Sequence, residues 1–216
     1  MSADEAQLFR RWLLTVTAGE FVGFSVPAVT GALTVESTVT TAVVALLAAG
    51  AVEGTMLGLA QSIVLRRELP RLVRRRWISA TAVGAVLAYA IGLLPSTLAG
   101  QWAELPGTVL VIAALLLGTA LLASIGTAQW LVLRTVVPRS GSWVVTTALA
   151  RLGGLAVFLV FTTPLWQPGQ PVVIVTAVGV AGGLLMAVVT SAITGLALRR
   201  LLRRPREPSP STPELT

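Results

Sequence analysis

Three ionisable side chains fall inside long apolar stretches of this chain: Glu20, Glu53 and Arg151. A charge in hydrocarbon is costly, so such residues pair with one another, line polar cavities or carry ions and protons. Two kinds of chemistry are open to them. In the first, Glu20 and Arg151 form a buried ion pair that sets helix register, while Glu53 stays a neutral, hydrogen-bonded carboxylic acid. In the second, all three line a polar cavity, where Glu53 or Glu20 binds a cation or shuttles a proton and Arg151 resets the charge. Gln61 and Gln129 are the next candidates. Their amides could cap backbone carbonyls, hold interfacial water, contact a neighbouring helix or contribute to a gate.

What is missing narrows the chemistry further. There is no cysteine and no histidine, which removes disulfides, thiolate chemistry, Cys- or His-bound metals and Ser-His catalysis. Asp4 is the single aspartate, so neither a paired-aspartate protease nor an Asp-rich metal–phosphate centre can be built. No metal and no cofactor is expected. A membrane enzyme of a lipid-modifying or terpene-cyclising type would need Glu20 or Glu53 as its acid and would find few other catalytic groups. No enzymatic activity is expected either.

These residues must be positioned by membrane helices. The 216 residues are 55% hydrophobic and only 12% charged, against roughly 25% charged in soluble domains. Six apolar stretches can cross a hydrocarbon core of about 30 Å. They are Trp12–Leu33, Val39–Leu65, Trp77–Leu98, Thr108–Leu133, Trp143–Trp166 and Val172–Leu198. The short connections Thr34–Ser37, Gly100–Pro106 and Gln167–Gln170 hold no arginine. Fifteen of the sixteen basic residues, all arginine, lie before the first span, after the sixth or in the other two connections. Retention of arginine on the cytoplasmic side predicts that both termini are cytoplasmic. The same distribution explains the net charge of +7 without nucleic acid. Arg66, Arg67, Arg71, Arg74, Arg75 and Arg76 form the densest cluster and could hold anionic lipid headgroups as well as anchor topology.

The expected organisation is therefore an all-α membrane protein of six transmembrane helices. Residues 1–11 form a cytoplasmic N-terminal segment, 12–202 the membrane domain, and 203–216, rich in Pro, Ser and Thr, a disordered tail. Pro27, Pro95 and Pro164 fall in the outer halves of the odd spans and should kink them. Small residues recur every fourth position in Gly50–Gly54–Gly58, Gly84–Ala88–Gly92 and Gly183–Ala187–Ser191–Gly195. Such faces let helix backbones approach closely in lipid. The tryptophans at the span ends suit an interfacial aromatic belt.

An internal period is also legible. Trp12, Trp77 and Trp143 open the odd spans at spacings of 65 and 66 residues, in WLLTVTAGEFVG, WISATAVGAVLA and WVVTTALARLGG. The even spans end in QSIVLR, QWLVLR and TGLALR, aligning Gln61, Gln129 and Thr194. The chain thus reads as three helical hairpins, approximately 12–66, 77–134 and 143–199, able to pack as a pseudo-threefold ring. Glu20 and Arg151 each lie eight residues after their tryptophan, hence roughly 12 Å inside the cytoplasmic edge, with Glu53 some 7–8 Å further out.

The repeated QWLVLR-type helix ends resemble those of uncharacterised bacterial multi-pass membrane proteins, a resemblance that covers the spans and implies no activity. The three-hairpin plan is similar to that of mitochondrial carriers. Their acidic and basic motif after a proline in each odd helix is absent, so their activity is not implied. Together with the arginine-only, Ala/Val/Leu/Gly-rich composition, this points to a bacterial cytoplasmic membrane. Two functions compete: a small-molecule or ion permease or channel using Glu20, Glu53 and Arg151, and a non-catalytic subunit or scaffold. The expected partners are membrane lipids and a membrane-protein partner or second copy of the chain.

Overall fold

A computed structural model describes residues 3–167 and 169–203. The chain forms α1 (Ala3–Leu33), α2 (Val39–Glu68), α3 (Arg74–Thr97), α4 (Ala99–Ala103), α5 (Gly107–Leu133), α6 (Ser142–Thr162) and α7 (Val172–Leu202). No strand occurs among the described residues. All but the short α4 are long and apolar enough to cross a membrane. Helices suit that solvent because each satisfies its backbone N–H and C=O groups within one segment.

Helix limits follow the expected spans to within about four residues at most ends, and three differences change the reading. α1 begins at Ala3 rather than Trp12, so the described part of the expected N-terminal segment is its first turns. Asp4 and Glu5 in that first turn favour such a start by complementing the helix dipole. α6 stops at Thr162, which leaves Pro164 beyond a helix it was expected to kink. Pro27 and Pro95, by contrast, lie within α1 and α3. Finally, the connection Gly100–Pro106 holds most of α4, tied back by the Trp102 indole, which donates to the Leu94 carbonyl at 3.3 Å. Of the expected tail, Arg203 ends α7 and the remainder lies outside the described residues.

The six long helices close a ring in the order α1–α2–α3–α5–α6–α7, with α7 returning to α1. Glycines let the neighbours approach. A Cβ on Gly54 would stand 2.7 Å from Ala82 Cα and 2.8 Å from the Thr81 carbonyl, so α2 touches α3 through bare backbone. Gly84 meets Ile125 Cα at 2.7 Å in the same way, and Gly126 meets Val144 Cα at 3.1 Å. Dispersion at such contacts holds helices together where lipid competes equally for apolar surface.

Burial is concentrated at the end of the ring that carries the arginines. Trp12, Trp77, Trp143, Leu65, Leu133 and Leu198 are fully buried there. Toward the other end, residues 39–48 of α2, 86–97 of α3 and 107–124 of α5 include none that is buried. The ring is sealed at one end and loosely packed at the other.

Candidate functional site

The three tryptophans do not form an interfacial belt. They turn inward and meet, with Trp143 6.2 Å from both Trp12 and Trp77, ring centroid to ring centroid. The reason is that each indole N–H finds an acceptor on an adjacent helix, as a buried indole requires. Trp77 Nε1 donates to Gln61 Oε1 at 3.2 Å, and Trp143 Nε1 to Gln129 Oε1 at 2.9 Å. Trp12 Nε1 donates to Thr194 Oγ1 at 3.1 Å, which ties α1 to α7. Gln129 Nε2 then donates to Gln61 Oε1 at 2.7 Å and to Thr81 Oγ1 at 3.0 Å.

This layer gives the recurring helix ends a physical meaning. The Gln or Thr accepts an indole N–H; the leucine four residues on (Leu65, Leu133 or Leu198) fills the ring beneath it; the arginine that follows is exposed in the first two copies (Arg66, Arg134) and largely buried against Glu5 in the third (Arg199). Of the roles open to Gln61 and Gln129, contact with a neighbouring helix is the one observed. Neither lines the central cavity.

Beyond the tryptophan layer the ring encloses a cavity of about 400 Å³. Every long helix contributes to its wall: Glu20 from α1, Glu53 from α2, Tyr89 from α3, Leu121 from α5, Arg151 from α6 and Met186 from α7. Equivalent offsets recur around it. Phe24, Tyr89 and Leu155 each lie twelve residues after their tryptophan, and Glu53, Leu121 and Met186 each lie eight before their indole acceptor.

The structure thus brings Glu20, Glu53 and Arg151 to one cavity. Among the described residues, however, no ion pair joins any of the three. Glu20 and Arg151 sit at matching depth, but α7 stands between α1 and α6 in the ring. Glu20 Oε2 and Arg151 Nε are both buried without a hydrogen-bond partner, although Glu20 itself is 4% exposed. Glu53 is level with Gly23, whose added Cβ would lie 3.1 Å from the Glu53 carbonyl. That is three residues beyond Glu20, about 4–5 Å at the helical rise and less than the depth expected from straight, untilted spans.

Glu53 Oε2 accepts a hydrogen bond from the Tyr89 hydroxyl at 2.6 Å. Tyr89 was not among the expected site residues, and its signal was plain: it is the chain's only tyrosine, set within an apolar span. Its ring packs against Gly50, where a Cβ would stand 2.8 Å from Tyr89 Cγ. Gly50 therefore makes room for the aromatic that orients Glu53.

At the arginine-rich end, Arg66, Arg67, Arg71, Arg74, Arg75 and Arg76 are all exposed. Arg74 Nε also donates to Ser62 Oγ at 3.1 Å. Glu5 clasps α1 to α7 through Arg203 at 3.0 Å and Arg199 at 3.3 Å. The hydrogen bond from Arg203, reinforced by the charges of Arg203 and Arg199, holds the Glu5 carboxyl below its ordinary 4.5 despite an opposing effect of burial. Among the described residues no three His, Cys, Asp or Glu side chains are grouped to hold a metal ion.

Fold and site together define a multi-pass, all-helical membrane protein with a partly charged cavity at its centre. The chain matches no protein-family model, no curated protein and no solved structure.

Proposed function

We propose that this protein is a small-molecule or ion permease of a bacterial cytoplasmic membrane, with the central cavity as its substrate site. The observation that carries this reading is the meeting of Glu20, Glu53 and Arg151, from three helices, around one cavity. A buried polar atom left without a partner costs about 1–3 kcal/mol. Glu20 Oε2 and Arg151 Nε have no hydrogen-bond partner within the protein, and a polar guest in the cavity would relieve that cost. In this reading the tryptophan layer is the closed gate on the cytoplasmic side. The arginine distribution supports cytoplasmic termini. The offsets shared around the cavity support three repeated hairpins.

The exposed arginines at the start of α3 fit anionic lipid headgroups. Arg74, Arg75 and Arg76 occupy the first turn of α3, where positive charge opposes the helix dipole. Headgroup phosphates there would offset that opposition.

Native mass spectrometry of protein extracted directly from its membrane into nanodiscs tests the function. A permease should carry a small molecule that is lost in Glu53→Gln. A second polypeptide in fixed ratio, with nothing in the cavity, would instead make this chain a subunit or scaffold.

A further inference from the structure

At five of the six seams in the ring a glycine brings the two helices into contact at the level of the cavity. Gly23 abuts Glu53 between α1 and α2, and Gly50 abuts Tyr89 between α2 and α3. Gly92 meets Leu121 at 3.3 Å between α3 and α5, Gly182 meets Phe158 at 3.1 Å between α6 and α7, and Gly183 meets Phe24 at 3.2 Å between α7 and α1. The seam between α5 and α6 differs. Its glycine contact is Gly126 against Val144, one residue from Trp143 and so beside the tryptophan layer rather than the cavity. Further along α5, Gly118 faces open space, and no α5 residue before Ile125 is buried. These two helices also share the least contact of any neighbouring pair in the ring.

The wall of the cavity is divided in its chemistry. Its charged groups, Glu20, Glu53 and Arg151, come from α1, α2 and α6, whereas Leu121 and Leu122 of α5 and Leu155 of α6 are the apolar part of the wall beside this less tightly packed seam. With both carboxyls ionised, two negative charges face one guanidinium, and one further positive charge would balance the site. Glu20 Oε2 is buried and makes no close hydrogen bond within the protein, with the Ser191 hydroxyl as the nearby polar group. A ligand that answers both conditions carries an N–H-bearing cation at one end. An apolar body attached to it would run along Leu121 and Leu155 and leave between α5 and α6 into the hydrocarbon.

We propose that the cavity takes an amphiphilic amine, its ammonium head at Glu20 and Glu53 and its chain passing between α5 and α6 into the bilayer. The proposal rests on the permease reading and names its substrate class and route of entry. The cavity's volume of about 400 Å³ suits a head and the first part of a chain, being at the lower end of the range for small-molecule sites.

The test uses dodecylamine bearing a diazirine in mid-chain, photolysed with the full-length protein in phosphatidylglycerol–phosphatidylcholine nanodiscs. Adducts are mapped by peptide mass spectrometry. They are expected on the peptides holding Leu121, Leu122 and Leu155. Excess dodecylamine should suppress them, and equal dodecanol should not. Glu20→Gln and Glu53→Gln should each cut labelling about tenfold, the effect of one lost charge-assisted hydrogen bond, in protein that keeps the near-ultraviolet dichroism of its tryptophan layer. The competition experiment needs no variant and stands if either fails to fold. Suppression by dodecanoate instead of dodecylamine would overturn the amine class while leaving a ligand-binding cavity. Equal suppression by dodecanol, or adducts confined to the lipid-facing surface, would overturn the proposal, while the permease reading would stand or fall on the native mass spectrometry.

Discussion

Gln129→Leu is the sharpest probe of the tryptophan layer. Gln129 has no exposed surface and makes three hydrogen bonds there, as acceptor from Trp143 at 2.9 Å and as donor to Gln61 at 2.7 Å and Thr81 at 3.0 Å. Leucine has similar bulk, so the packing is nearly conserved and the hydrogen bonds are what is lost. The partners are affected unequally. Gln61 Oε1 keeps its bond from Trp77, and the Thr81 hydroxyl still donates to the Trp77 carbonyl at 2.9 Å. The Trp143 N–H is left with no acceptor, a cost of about 1–3 kcal/mol. With roughly 0.6 kcal/mol for each of the two other bonds, the typical value in a membrane protein, the loss should be about 2–4 kcal/mol. Stability would be followed by unfolding in mixed SDS–detergent micelles, read by the near-ultraviolet dichroism of the tryptophans. Adding Trp143→Phe to Gln129→Leu removes the stranded donor, so the double variant should be more stable than the sum of the singles by about 1–2 kcal/mol. A Gln129→Leu protein within about 0.5 kcal/mol of the parent, or a strictly additive cycle, would refute the argument that these bonds hold the layer.

Gly54→Ala should destabilise by about 1–3 kcal/mol because the α2 and α3 backbones must separate, whereas Gly118→Ala, with nothing within 4 Å, should be neutral in the same titration. The clasp of Glu5 on Arg203 and Arg199 should depend on pH. Because the folded carboxyl is held below its ordinary value, the clasp is fully present above pH 4.5 and is lost as pH falls through the lowered value. The difference in thermal midpoint between the parent and Glu5→Gln should therefore be constant above pH 4.5 and shrink below it; a pH-independent difference would contradict this. Since the chain has no cysteine, Ser37→Cys and Arg75→Cys report topology without background. A membrane-impermeant maleimide on intact cells should label the first and spare the second, and the opposite pattern would reverse the proposed orientation.

Much of the molecule was legible in the residue order because the bilayer imposes one-dimensional rules. Spans follow from runs of apolar residues long enough to cross hydrocarbon. The recurring tryptophan and Gln/Thr positions marked residues that do bond to one another, though a span-end tryptophan has two homes, the interface or the interior. Composition does not choose between them. The choice came from Gln61, Gln129 and Thr194 standing on neighbouring helices within reach of the indole N–H groups. Glu20, Glu53 and Arg151 were visible as costly residues, but whether they pair depends on helix order and rotation. With α7 between α1 and α6, equal depth did not become an ion pair.

Chain order alone determined the all-helical, membrane-spanning plan and named the charged residues at its heart, since the price of a charge or an open backbone in lipid is paid locally. Only the tertiary structure decided that three tryptophans seal one end of a ring, that Tyr89 holds Glu53, and that the α5–α6 seam lacks the glycine contact its neighbours have at the cavity. Those outcomes turn on how helices rotate and cross, and in lipid that is set by close packing between surfaces distant in sequence.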